Sequence, residues 1–188
     1  MRYAGGAEVL ENMKILQWTL AVVGAIALVL VVGGLFAPSK FLVSRTAVIN
    51  APPKKIYDLV VEPRQWAAWS EWNRRDPGMR ITYKGPPFGL GAKWEWVSKS
   101  EGSGSMEFTH VVPDKSVEYA LFFPEYNMRS SGALRLEPEG NATRITWTNE
   151  GDVGGNPLKH YLALAMDRMV GPDFEAGLAN LKALAEKP

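Results

Sequence analysis

Cysteine is missing from all 188 residues. That excludes a disulfide framework, a thiolate metal site and a cysteine nucleophile. Histidine is almost missing, with His110 and His160 the whole supply, too few for a multi-histidine zinc centre. No metal and no other cofactor is expected. Excess charge is lacking too: 21 Lys and Arg against 20 Asp and Glu leave +1, a balance that argues against nucleic acid as a partner. There is no G-x-S-x-G nucleophile elbow. Gly89-Leu90-Gly91 precedes a strand-like run, whereas a dinucleotide loop follows one, and Gly154-Gly155-Asn156-Pro157 lacks the Lys and Ser/Thr of a phosphate loop. What the chain has is apolar and aromatic surface, with 46% hydrophobic residues and seven Trp. Such a composition folds, and wholesale disorder is excluded.

Residues 15–36 run for 22 positions without a charge, and Gln17 is the most polar of them. As a helix the run reaches roughly 33 Å, enough for a hydrocarbon core of about 30 Å. Three readings compete: a single-pass membrane anchor, a cleavable signal peptide and a buried core helix. The run is long and apolar all round, against a core helix. It also exceeds the usual apolar region of a signal peptide, and its exit, Gly33-Gly34-Leu35-Phe36-Ala37-Pro38, lacks a small-x-small site. An uncleaved anchor is the expectation. Residues 1–14 then form a tail without evident structure, and Met13 would serve as a start as well as Met1 does. Residues 37–42 are a linker, and 43–188 are one domain held close to the bilayer. Arg2 and Lys14 precede the span while Lys40 and Arg45 follow it, nearly a tie in orientation; the lean is towards a domain outside the cytoplasm.

Within the domain, 43–50 reads as a strand ended by Ala51-Pro52-Pro53, and Ile56, Tyr57 and Val60 mark a helix stopped by Pro63. Trp66, Trp69 and Trp72 recur every third residue, as on a short helical turn. The period then changes to two. Strands are expected over 79–84, 92–98, about 106–110, 116–123, 129–137 and 143–150, with tight turns between them. Pro157 opens a final helix, which Gly171-Pro172 should break or kink. The fold class is therefore α+β: a curved antiparallel sheet of about seven strands wrapped around a long C-terminal helix, plus one N-terminal transmembrane helix.

Several stretches carry a family likeness. They are Thr46-Ala47-Val48-Ile49-Asn50-Ala51-Pro52-Pro53 followed by Ile56-Tyr57, and Glu62-Pro63-Arg64-Gln65-Trp66 running into Trp69-Ser70-Glu71-Trp72. Further on come Gly89-Leu90-Gly91-Ala92-Lys93-Trp94, Thr143-Arg144-Ile145-Thr146-Trp147, and Phe174-Glu175-Ala176-Gly177-Leu178-Ala179-Asn180-Leu181. In this order and spacing, residues 40 to 186 resemble the START-like, or SRPBCC, superfamily of helix-grip proteins, within it the polyketide cyclase/dehydrase type. The resemblance implies a deep apolar pocket between sheet and last helix, used to bind lipids, sterols or aromatic polyketides and in some members to cyclise them. Catalytic residues differ among members, so none is carried over.

Strand alternation supplies candidate cavity residues: Trp94, Trp96, Phe108, Tyr119 and Trp147, joined by Met166 and Met169 from the last helix. Each reads equally as packed core. Trp69 and Trp72 are candidates for the cavity mouth, Trp66 going with them as structure. His110, in register with Met106 and Phe108, is the single weak candidate for acid–base catalysis, and only if it faces the cavity. Two functions follow. The first is a membrane-anchored binding module for an apolar or amphipathic small molecule, lipid-like or aromatic. The second is a cyclase or dehydrase-like enzyme using the same pocket. The expected partners are that small molecule and the bilayer, and binding is favoured over catalysis.

Overall fold

The computed structural model describes residues 4–188, with side chains from Leu10 onward; the first three residues of the expected tail lie outside the described residues. Helix α1 (Ala4–Phe36) starts well before the apolar run. Ala, Leu, Glu, Met and Lys dominate its first turns, all strong helix formers, and lengthening an existing helix is far easier than nucleating one. The expected unstructured tail is thus helical from Ala4. The linker is shorter than expected, because β1 (Lys40–Ile49) begins at Lys40, paired with Asp152.

After β1 come α2 (Pro53–Val60), a 3-10 turn (Pro63–Gln65), and two short helices, α3 (Trp66–Trp69) and α4 (Glu71–Arg75). Six strands follow: β2 (Arg80–Lys84), β3 (Lys93–Val97), β4 (Ser103–Val112), β5 (Ser116–Phe123), β6 (Met128–Glu139) and β7 (Ala142–Asp152). The seven strands form one antiparallel sheet in the order β1-β7-β6-β5-β4-β3-β2. Sequential strands are neighbours except that β1 returns to β7, and the α2–α4 segment and the last helix pack on the sheet.

Period-two burial builds the core. Thr143, Ile145, Trp147 and Asn149 of β7 all face inward, as do Val117 and Tyr119 of β5 and Met106 and Phe108 of β4. The alternation fails once in β4. Phe108 opposes Tyr119 while His110 opposes Glu118, so Thr109 is an extra residue in the strand. This bulge turns His110 off the Met106/Phe108 face and leaves it exposed.

Helix α5 (Pro157–Ala185) is capped by the Asn156 side chain, which accepts from Leu158 N at 3.0 Å. It continues unbroken through Pro172, contrary to the expected break. Arg45 of β1 explains this: its guanidinium donates to Glu175 at 2.5 Å on one side of Pro172 and to Asp167 at 2.7 Å on the other. Buried Gly171 leaves room for it, since a Cβ there would overlap the guanidinium. Tertiary bonds thereby hold both turns flanking the missing N–H. The Arg45 hydrogen bond keeps the Asp167 carboxyl below the usual carboxylate range, so this restraint is present at neutral pH and fades as pH falls through that lowered value.

Gly132 of β6 sits where a Cβ would overlap the Thr148 carbonyl and the Tyr119 ring. Gly132→Ala is expected to lower stability by about 1–3 kcal/mol through overpacking, read as a reduced urea midpoint at unchanged slope. An unchanged midpoint would show that this close approach is not a constraint.

Candidate functional site

The interior is organised by indole rings. Trp66 and Trp69 come from α3, and each donates its ring N–H back into α2, to Val60 O at 2.9 Å and Leu59 O at 3.2 Å. Trp147 of β7 stacks on Phe174 of α5 with centroids 3.9 Å apart and planes 6° from parallel. Gly177 permits this, because a Cβ there would come within 2.9 Å of the Trp147 ring. Trp66 meets Trp94, Phe108, Tyr119 and Trp147 at 5.3–6.1 Å. These contacts fill the interior on the α5 side.

On the other side a cavity of about 90 Å³ remains open, between β2–β5 and β7 on one hand and the α3–α4 segment on the other. Trp72, Trp94, Trp96, Met106, Leu121 and Phe123 wall it, and Tyr119, Trp147 and Asn149 form its floor. Trp66, Ser70, Asn73, Met79, Ile81 and Glu101 complete the lining. Such a mix, mostly apolar with a few placed polar groups, is the usual make-up of a small-molecule site.

Of the sequence candidates, Trp94, Trp96, Tyr119, Trp147 and Trp72 meet at this cavity. Phe108 is fully buried behind Trp66 and Trp94 and does not line it. Trp69, expected at the mouth, is fully buried against Trp66 and Trp147. Met166 is buried but outside the lining, and Met169 is 58% exposed. The helical wall is thus α3–α4 and not α5, because Phe174 occupies the space the methionines were expected to border. His110 is off the cavity for the reason given by the β4 bulge. Asn149 was missed by sequence reading, although it continues the inward series Thr143, Ile145, Trp147; its polarity hid it in an otherwise apolar pattern.

A short polar chain runs under the floor. Trp147 Nε1 donates to the Tyr119 hydroxyl at 3.0 Å, and that hydroxyl donates to Thr148 O at 3.1 Å. The Asn149 side chain lies beside this chain, its Oδ1 buried without a hydrogen-bond partner. Burial pushes the Tyr119 hydroxyl well above its ordinary pKa, against the opposing pull of the Trp147 hydrogen bond. Tyr119 is therefore neutral throughout the physiological range. Glu101, the one carboxylate in the lining, is paired with Arg75 at 3.1 Å, and Arg75 also holds Asp173 of α5. Among the described residues, no group of three or more His, Asp or Glu is placed to hold a metal ion.

A family model described as polyketide cyclase / dehydrase and lipid transport matches residues 40–186. No curated protein matches the sequence. Among solved structures, protein CV1439 from Chromobacterium violaceum superposes with a TM-score of 0.55 at 18% identity, over 78% of this chain and 98% of that one. A protein from Nitrosospira multiformis gives 0.58 at 14% identity, over 78% and 97%. The structure of Ara h 8.0201 gives 0.53 at 14% identity, over 77% and 99%. At these identities the likeness is one of fold.

The raised Tyr119 pKa has a measurable sign. The unfolded chain releases this proton near pH 10 and the folded chain only at higher pH, so Tyr119 contributes stability below about pH 10 that is lost as pH rises beyond it. In an alkaline absorbance titration, the Tyr119 phenolate step should appear only together with unfolding, and Tyr119→Phe should remove it. A step near pH 10 in the folded protein, absent from the variant, would contradict the buried network.

Proposed function

The chain belongs to the polyketide cyclase / dehydrase and lipid transport family, and from that premise we propose that it is a membrane-anchored binding module for an apolar or amphipathic small molecule. The observation that carries this reading is the chemistry of the cavity. Aromatic and Met side chains wall it, and its two ionisable groups are Glu101, occupied by Arg75, and Tyr119, held neutral. Such a site favours capture of apolar surface and supplies no free base for proton abstraction. Its size favours the end of an apolar chain: at about 90 Å³ it is smaller than the roughly 150 Å³ cavity that takes one benzene. A longer ligand would leave its remainder at the mouth, beside half-buried Trp72 and Trp96.

The anchor reading draws support from α1. Its residues Leu10–Phe36 are long and apolar enough to cross a bilayer, and only 6% of the most apolar window is buried, unlike a core helix. The end of α1 also meets the start of α5. Tyr161 donates to Leu30 O at 2.9 Å, and the His160 ring nitrogens face Gly34 O at 2.7 Å and Gly154 O at 3.0 Å. Gly33 and Gly34 allow the approach, since a Cβ on either would overlap Tyr161 or Pro157. Leu30 lies six residues inside the apolar run, about 9 Å of helix, so the first turns of α5 sit at that depth. Their exposed Leu158, Leu162, Leu164 and Met169 suit the headgroup–acyl boundary.

For the cavity, Leu121→Glu is expected to weaken binding of a bromine-tipped alkyl chain tenfold or more, since burying an unpaired charge costs several kcal/mol; bromine quenching of the cavity tryptophans reports it, once melting shows the variant folded. His110→Ala should bind as the native protein does. Turnover of extracted lipids or polyketide-like aromatics by the native protein would replace the binding reading with the cyclase-type one. For the anchor, the full chain should stay with membranes through an alkaline carbonate wash. Release of a form beginning near Ala37 would mean a cleaved signal peptide instead.

A further inference from the structure

Helix α5 changes character along its length. A surface helix turns its polar face outward. From Phe174 on α5 obeys, with Glu175, Lys182 and Glu186 outside and Phe174, Leu178 and Leu181 inside. Between Pro157 and Val170 it does not. Ala163 and Met166 face the core, yet Leu158, Leu162 and Met169 are exposed, and half-buried Ala165 completes their spacing of four, three and four residues. Exposed Tyr161 and Leu164 widen the patch. The charged side chains of this half are Lys159, Asp167 and Arg168. Asp167 is taken by Arg45, which leaves two cations flanking an apolar stripe.

What covers this stripe follows from where the helix begins. Tyr161 donates to Leu30 O, and His160 Nδ1 lies 2.7 Å from Gly34 O, so the first turn of α5 is held against the last apolar turns of α1. Beyond the crossing, Leu35 and Phe36 are exposed too. The apolar surface of the span is thus continued by that of α5, and lipid that surrounds the one already borders the other. We propose that α5 is a second membrane element. From Pro157 to Met169 it lies along the headgroup–acyl boundary, with Leu158, Leu162, Ala165 and Met169 among the acyl chains and Lys159 and Arg168 reaching the headgroups. This rests on the anchor reading above and goes beyond it, from a domain tethered at one point to a domain held on the bilayer in a single posture. Phe174 of the same helix stacks on Trp147, so the floor of the cavity is tied to the helix that rests on the membrane.

Because the chain has no cysteine, one introduced cysteine carries one nitroxide. Single variants of the full chain in lipid nanodiscs are compared by power saturation against oxygen, which concentrates among acyl chains, and against a water-soluble nickel chelate. The positions are Ala25→Cys in the span, Leu162→Cys and Met169→Cys on the α5 stripe, and Asn141→Cys in the β6–β7 turn. All four side chains are exposed, so labelling leaves the core untouched. The labels at 162 and 169 are expected to be oxygen-accessible and shielded from nickel, as at Ala25, and to read depths of about 5–10 Å. The Asn141 label should show the reverse. An α5 label that is nickel-accessible while Ala25 stays shielded overturns the docking and leaves the anchor standing. Labels at 162 and 169 shielded from both relaxants would mean that protein covers this face, a second copy if the spectra also broaden by dipolar coupling, and overturn the docking equally. A nickel-accessible Ala25 label removes the anchor, and the docking with it.

Discussion

One indole, that of Trp147, joins the layers of this protein. Its face lies flat on Phe174 of α5, its edge meets Trp66, Trp69 and Trp72 of the short helices, and its N–H is spent on Tyr119 of the sheet. Sheet, last helix and α3–α4 segment therefore share a single contact point. Because Trp147 is fully buried, its position admits little slack, and the elements around it are placed relative to one another by the same ring.

The location of the cavity follows. Phe174 and Trp147 stack on the α5 side, and the cavity lies where α3 and α4 cover the sheet. The helical wall there is Trp66, Ser70, Trp72 and Asn73, on a ten-residue segment broken at Ser70 and tied to α5 through Arg74 and Asn180, and Arg75 and Asp173. Side-chain bonds hold this wall: the Trp66 and Trp69 indoles to α2, and Asn180, Asp173 and Glu101 to its C-terminal half. The sheet opposite it is a continuous ladder. Widening for a larger occupant would fall on the α4 side, where the fewest interactions resist it.

The two ends of the chain are coupled through β1. It leaves the end of α1 after three residues, pairs with β7 along its whole length, and carries Arg45 and the Val48 carbonyl that hold α5 at its middle and its C-terminal end. Helix α5 in turn returns its first turns to Gly33 and Gly34 of α1. A rotation of α1 would thus be felt by the element that backs Trp147. The small residues at this crossing make the approach close, and the hydrogen bonds from Tyr161 and His160 to α1 carbonyls fix it.

Much of this was legible in the residues alone. The seven strands, the order of helices and the apolar span follow from periods of two and 3.6 and from the length of a charge-free run, all of them local quantities. Alternation also assigned Trp94, Trp96, Tyr119 and Trp147 to the inner face. It could not tell which inner-face side chains touch one another and which border space, since that depends on the volumes of segments far apart in sequence. So Phe108 and Trp69 became core, Met166 and Met169 fell away from the cavity, and Trp66 and Trp72 of the tryptophan group reached its wall. His110 was misplaced by one inserted residue in β4, a register shift that only pairing with β5 reveals. The unbroken helix at Pro172 and the lone Asn149 oxygen have the same origin. Each is decided by other elements, Arg45 across Pro172 in one case and the neighbours that bury Asn149 in the other, and such contacts are not written in the spacing of either chain segment.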